Sequence, residues 1–254
     1  AIFAWAGADV NRFINEPAKE KVLGQSKRIA KKIQLQSETP ISRIRGLRKN
    51  KKYLPRDFEG ECQYISSLGQ VDLSKGRWLI LTRTKDDLLN IMDELSSKYV
   101  YYQSNKGKSF RVGLYKTIKK YLNWVNNDVQ LEEKDWKEIL DYTNKKVITE
   151  KYNWYDLFTK MPEKEKNYIQ NLMEQGEDLD SKARIWLSTI HAIKGGEEDN
   201  VILSMHQGLK VQNAIKRSEA KADEEHRVWY VGITRARNNL YKLKTKYKDK
   251  EYQI

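Results

Sequence analysis

Short apolar runs separated by longer helical stripes set the pattern of this chain. Trp78 to Arg83 reads Trp-Leu-Ile-Leu-Thr-Arg, a continuous apolar run of the kind buried on both faces of a parallel sheet. Ile185 to Thr189 and Val201 to Leu203 are shorter runs of strand formers, and Gly60 to Leu68 and Leu240 to Leu243 complete the strand candidates. Between the first two runs, Asp86 to Tyr99 carries Leu88, Leu89, Met92 and Leu95 at helical spacing. A strand, a short polar turn and an amphipathic helix in succession are the signature of an α/β fold. Pro17 suits the first turn of a helix reaching about Gln36, with Val22, Ile29 and Ile33 on one stripe. Residues 37 to 57 are polar and basic with two prolines, and predict an irregular connection or short strands. Residues 204 to 222 predict a loop and a helix start, and Ala220 to Trp229 a helix. The lysine-rich tail, from Lys242 to Lys250, predicts a charged strand edge or a frayed end.

After Gly107 the pattern changes. From Lys108 to Lys182 the apolar residues fall in helical clusters, among them Leu114, Ile118, Tyr121 and Leu122, then Trp136, Ile139 and Leu140, and Tyr168, Ile169 and Leu172. Three to five helices are expected here, with Pro162 opening the last. Strand character returns at Arg184, so this stretch reads as a helical insertion in an α/β domain. The expected organisation is residues 1–107 as the first part of that domain, 108–182 as the insertion and 183–254 as the remainder.

Composition sharpens the picture. The 254 residues carry a formal net charge of +13 with 39% hydrophobic content, which suits a polyanionic partner. Residues 19 to 56 hold thirteen Lys and Arg against two Glu, and so contain most of the excess. Such a segment is either a solvated basic face or a nucleic-acid face, and the 7 Trp and 15 Tyr supply possible stacking surfaces. No apolar run reaches the length of a membrane span and no secretory signal is visible, so no membrane partner is expected. One cysteine, Cys62, excludes an internal disulfide and fits a reducing compartment.

The candidate chemistry lies in the last quarter. The Ile185 run ends in Thr189 and His191, followed by Lys194, Gly195 and Gly196, and this places hydroxyl, imidazole and ammonium groups at the C-terminal edge of a sheet, where open α/β sheets bind ligands. Arg235 and Arg237 flank Ala236, and a guanidinium is a permanent planar cation suited to phosphate. Taken singly, each of these residues also fits a structural or solvated position; their joint spacing sets them apart. The order Thr189-x-His191-x-x-Lys194-Gly195-x-Glu197, then Tyr230-Val-Gly-Ile-Thr-Arg-Ala-Arg237, resembles motifs V and VI of UvrD/Rep-type superfamily 1 DNA helicases. Leu23-Gly-Gln-Ser-Lys-Arg28 resembles motif IV, with Lys27 and Ala30 departing from its usual Tyr and Pro. Residues 1 to 13, with Phe3 and Trp5, resemble the tail of motif III, where Ala6 replaces a common Arg.

The resemblance implies a RecA-like, mainly parallel sheet flanked by helices, with an inserted helical subdomain. It implies ATP as cofactor, and single-stranded and duplex DNA as partners. Arg28 and Arg235 match arginines that reach the γ-phosphate, Arg235 as the arginine finger. Glu197 matches a ribose-binding residue, with Gly195 shaping its loop. Thr189, His191, Lys194, Trp5 and Phe3 match positions on the DNA side. No Gly-x-x-x-x-Gly-Lys-Ser/Thr phosphate loop and no Asp-Glu-x-x-Asp strand end occur in these residues. The chain is therefore expected to be the second motor half of a longer helicase, inactive toward ATP alone. The phosphate loop and the Mg²⁺ ligands are expected in an N-terminal RecA-like domain, and no metal site is expected here. A bacterial or phage-like, cytoplasmic, DNA-associated protein fits this reading. A non-catalytic basic nucleic-acid-binding module and a degenerate helicase subunit remain the alternatives.

Overall fold

The computed structural model describes residues 15–17, 24–46, 53–193 and 195–254. In chain order its elements are α1 (Lys31–Ser42), β1 (Glu61–Ile65), β2 (Trp78–Thr82), α2 (Lys85–Ser97), β3 (Tyr102–Ser104), β4 (Gly107–Lys108), α3 (Val112–Asn127), α4 (Glu133–Asp141), α5 (Trp154–Leu157), α6 (Glu163–Glu174), β5 (Ile185–Thr189), β6 (Glu198–Ser204), α7 (Leu209–Arg217), α8 (Glu219–Ile233) and β7 (Ala236–Leu243), with short 3-10 turns at Leu68–Gln70 and Lys248–Lys250. The chain forms two compact units. One runs up to Met92 and resumes at Arg184–Ile254; the other is Asp93–Ala183.

The first unit is built on five parallel strands in the order β1-β7-β6-β2-β5. Every residue of β2 is buried, as its unbroken apolar run requires for a central parallel strand. Leu79 and Leu81 of β2, Val201 and Leu203 of β6 and Leu240 of β7 join Ile29, Ile33, Val228, Trp229 and Ile233 in one core. The α/β expectation therefore holds. No helix among the described residues is long and apolar enough to cross a membrane.

Several local expectations change. Among the described residues, the helix expected to run from Pro17 to about Gln36 starts only at Lys31. Residues 24–26 are held extended instead, because Leu54 donates to the Gly24 carbonyl at 2.8 Å and accepts from the Ser26 amide at 2.7 Å. The first amides of α1 are likewise taken by Phe58 and Glu59 carbonyls, at 2.9 and 3.0 Å. The helix then runs through Pro40, in a stretch whose prolines suggested an irregular connection; Pro40 sits in the last turn, buried, where few residues remain to be disturbed. In α2 the buried residues are Ile91 and Leu95, while Leu89 is exposed. Residues 209–217 form a full helix rather than a loop, and α8 extends four residues past Trp229.

The tail is neither an edge nor frayed. β7 lies between β1 and β6. Beyond it, Tyr252 is buried and stacks on Trp229 with ring centroids 4.5 Å apart, and its amide donates to the Met205 carbonyl. Burial also pushes the Cys62 thiol up from its ordinary value, as suits a bland thiol.

The second unit pairs β3 and β4 antiparallel and packs four helices around Leu114, Ile118, Tyr121, Ile139, Phe158, Ile169 and Leu172. Pro162 is the residue that opens α6. Trp124, Trp136 and Trp154 are partly buried against this core, with Trp124 and Trp136 edge to face at 5.0 Å.

Candidate functional site

The predicted site residues of the first unit separate onto opposite edges of its sheet. β5 and β6 are both parallel to β2, so the connection 190–197 must return the chain from the end of one strand to the start of the other. Thr189 and His191 therefore lie at the C-terminal edge, and Gly195 and Glu197 at the N-terminal edge. β6 is seven residues long, so the two edges are about 20 Å apart at 3.3 Å per residue. The expectation that the strand end and the following Gly-containing loop sit together at the C-terminal edge holds for Thr189 and His191, while Gly195 and Gly196 lie toward the N-terminal edge.

At the N-terminal edge, two distant stretches meet the loop that carries Glu197. Arg28 sits in the turn before α1, where the Ser26 hydroxyl accepts from the Arg28 and Ile29 amides at 3.2 Å each. Its NH1 donates to Glu197 Oε2 at 3.1 Å, while its Nε is buried without a hydrogen-bond partner among the described residues. Arg235 occupies the turn between α8 and β7. Its Nε donates to the Val231 carbonyl at 3.1 Å and its NH1 to the Gly196 carbonyl at 3.4 Å, and its own carbonyl accepts from the Glu198 amide. Burial, and next the charge of Arg28, press the Arg235 guanidinium below its ordinary value, while Glu197 opposes them. Two cations thus stand beside one carboxylate. Gly195 has φ +77°, a left-handed conformation that favours glycine and lets the loop turn into β6.

Further groups at this edge were given no role by the resemblance. Arg237 Nε lies 4.0 Å from Glu197 and 3.8 Å from Asp199, so it shares the carboxylate instead of standing as a bare surface cation. The Tyr53 and Tyr230 hydroxyls are 3.2 Å apart, and burial, followed by this contact, raises the Tyr230 phenol. Tyr230 belongs to the recognised pattern, but Tyr53 carries no local signal and is brought in by the 53–59 segment that lines α1.

At the C-terminal edge, Thr189 Oγ1 accepts from the Ala192 amide at 3.3 Å, so the hydroxyl also closes the turn that presents His191. Burial first, and then Arg83, lower the His191 imidazole below its usual range, with Glu225 and Glu224 opposing. Arg83 follows β2 and forms a bidentate pair with Glu225 of α8, at 2.7 to 2.9 Å. Glu225 also accepts from Trp229 Nε1 at 2.8 Å and Gln207 Nε2 at 3.2 Å. Sequence reasoning placed Glu225 on the predicted Ala220–Trp229 helix but missed this pair. The lone Arg at a strand end was the available signal.

Trp5, Phe3 and Lys194 lie outside the described residues. Among the described residues no group of three or more His, Cys, Asp and Glu could hold a metal ion.

Residues 142–247, which contain both edges' loops, match the UvrD-like helicase C-terminal domain. Over this stretch the chain is similar to the C-terminal portion of UvrD-like helicases. It is 31% identical over 156 residues to the ATP-dependent DNA helicase Rep of Escherichia coli (strain K12), a match covering 61% of this chain and 20% of Rep. It is 39% identical over 74 residues to the ATP-dependent DNA helicase PcrA of Bacillus subtilis (strain 168), covering 29% of this chain and 10% of PcrA. The UvrD-like chain thus spans a fifth or less of the length of these two relatives.

Proposed function

We propose that this UvrD-like chain is the second half of an ATP-driven motor that moves along single-stranded DNA and unwinds duplex. The observation that carries the reading is the convergence of Arg28 and Arg235 on Glu197, with Thr189 and His191 on the opposite edge. The buried Arg28 Nε–H, with no partner among the described residues, is costly unless an anion meets it. Arg28 and Arg235 receive the terminal phosphate of ATP, and Arg235 is the finger that neutralises charge developing on the transferred group. Glu197 exchanges its arginine contacts for the ribose hydroxyl, and Gly195 gives its loop the turn that allows this. Thr189 and His191 face the DNA backbone, and the sequence places Lys194, Trp5 and Phe3 with them.

The phosphate loop and the ligands for the magnesium that accompanies ATP belong to a partner RecA-like domain. Hydrolysis by this segment alone is not expected. The site is that of a cytoplasmic, DNA-associated enzyme of bacterial or phage type.

The test is ATP turnover by the full-length protein with and without single-stranded DNA, for the wild type and Arg235→Ala. DNA-stimulated turnover should fall by about 10³-fold or more in the variant, with DNA affinity retained. Equal turnover in the two proteins would refute the role of Arg235. DNA binding with no turnover in the wild type would leave a binding module or a degenerate subunit.

A further inference from the structure

A third feature of the first unit belongs to neither cluster. Between the end of α1, the end of α7 and the start of α8 lies a cleft of about 630 Å³. Arg43, Arg45, Lys216 and Arg217 line it, together with Asp223 and His226. It opens at the C-terminal edge of the sheet, the edge that carries Thr189 and His191. The chain fixes this position: Arg43 donates to the Gln253 carbonyl at 2.6 Å, and the neighbouring Tyr252 amide bonds to Met205, just past β6.

The charges of the cleft are unbalanced. Arg45, Lys216 and Arg217 are exposed and make no ion pair among the described residues. Asp223 does not offset them fully, because both its oxygens are turned inward, accepting from the Arg45 and Gly46 amides at 2.9 and 2.7 Å. His226 adds no lasting charge near neutral pH: burial, followed by Arg43, lowers its imidazole, and Nδ1 lies 2.7 Å from the Tyr252 hydroxyl. The first turn of α8 also points its positive end toward the cleft, with Glu219 the remaining carboxylate on the rim. The wall behind is rigid, since the Trp229–Tyr252 stack and the Arg43 guanidinium 5.5 Å over Tyr252 hold it. Mutually repelling cations gathered in a fixed concavity, on the edge assigned to nucleic acid, match a chain of phosphates better than a single small anion.

We propose that this cleft is a second nucleic-acid contact, holding phosphodiesters of the strand that crosses the Thr189–His191 edge. The proposal rests on the DNA-motor reading for the identity of that strand. It is tested on the full-length protein with fluorescent oligothymidylate as probe, by measuring affinity across a range of salt concentrations. The triple variant Arg45→Gln/Lys216→Gln/Arg217→Gln should bind about tenfold more weakly at 0.15 M salt. Its dependence of log affinity on log salt should be shallower by about 2, since each phosphate that a cation neutralises on a single strand adds roughly 0.7 to the slope. All three side chains are exposed, so an unchanged melting temperature checks that the variant is folded. An unchanged affinity and slope, alongside weakened binding in Thr189→Ala/His191→Ala, would overturn the cleft and leave the motor reading standing. If the wild type itself failed to bind oligothymidylate, the motor reading would fail and the cleft with it.

Discussion

Replacing Glu225 by alanine offers the most quantitative test of how this fold holds its C-terminal edge. Glu225 is 3% exposed, and its partner Arg83 has a side chain 19% exposed. Removing one member of a buried pair costs about 3–5 kcal/mol, because the remaining charge stays out of water without compensation. Partial exposure of Arg83 lets water recover some of that loss, which favours the lower end. Trp229, fully buried, and Gln207, 6% exposed, lose an acceptor at the same time. An unsatisfied buried donor adds about 1–3 kcal/mol, so a total near 4 kcal/mol is expected. For a chain of this size, that corresponds to a fall in melting temperature of about 8–16 °C. Glu225→Gln, which keeps an acceptor for Trp229 but loses the charge facing Arg83, should cost about half as much. Urea and thermal unfolding of the full-length protein would measure both. Arg83→Met/Glu225→Met should recover much of the loss, since a hydrophobic replacement of the whole pair leaves no orphaned charge. A loss below about 1 kcal/mol for Glu225→Ala would refute the view that this pair is dry and mutually dependent.

Two further outcomes follow from the same geometry. Gly60 has φ +70°, and a Cβ there would lie 2.5 Å from Ala30 Cβ and 2.6 Å from the Asn238 carbonyl. Gly60→Ala should therefore destabilise by about 3 kcal/mol in equilibrium unfolding, and a neutral result would contradict the close approach of the α1 start to the β7 start. His226 and His191 both have imidazoles lowered by burial first, and then by Arg43 and Arg83 respectively. A lowered histidine contributes stability that is present above its unfolded value, about 6.5, and lost as pH falls from there toward the folded value, because the unfolded chain then binds more protons. Unfolding free energy should decline below about pH 6.5, and His226→Gln should flatten that decline; identical pH profiles would rule out His226 as a contributor.

Much of the fold was legible along the chain because parallel strands buried on both faces need uninterrupted apolar runs. The runs of β2 and β5 could therefore be located within a residue or so. The start of α1 was not, because hydrogen bonds from residues 54–59, far along the chain, hold 24–26 extended and take the first helical amides. Helical periodicity carries no trace of such a partner. The tail was misread for a related reason. Alternating lysines suggest a solvated edge, yet β7 is an interior strand, and Lys242, buried at 4% exposure, donates to Gln36 at 2.5 Å and lies 3.9 Å from the Tyr64 ring centroid.

The candidate site divides in the same way. Sequence alone singled out the side chains proposed to carry the chemistry, since motif spacing fixes residue types: the arginines at 28 and 235, the carboxylate at 197, the hydroxyl and imidazole at 189 and 191. Tertiary structure decided where each of them lies. Two parallel strands separated by another must be joined by a loop that crosses the sheet from end to end, so one contiguous motif spans two edges about 20 Å apart. The same packing brings Arg28, 169 residues distant in sequence, within 3.1 Å of Glu197. It also encloses Glu225 with Arg83. Local spacing specifies residue types, but burial and charge proximity depend on long-range contacts that arise only when the sheet closes.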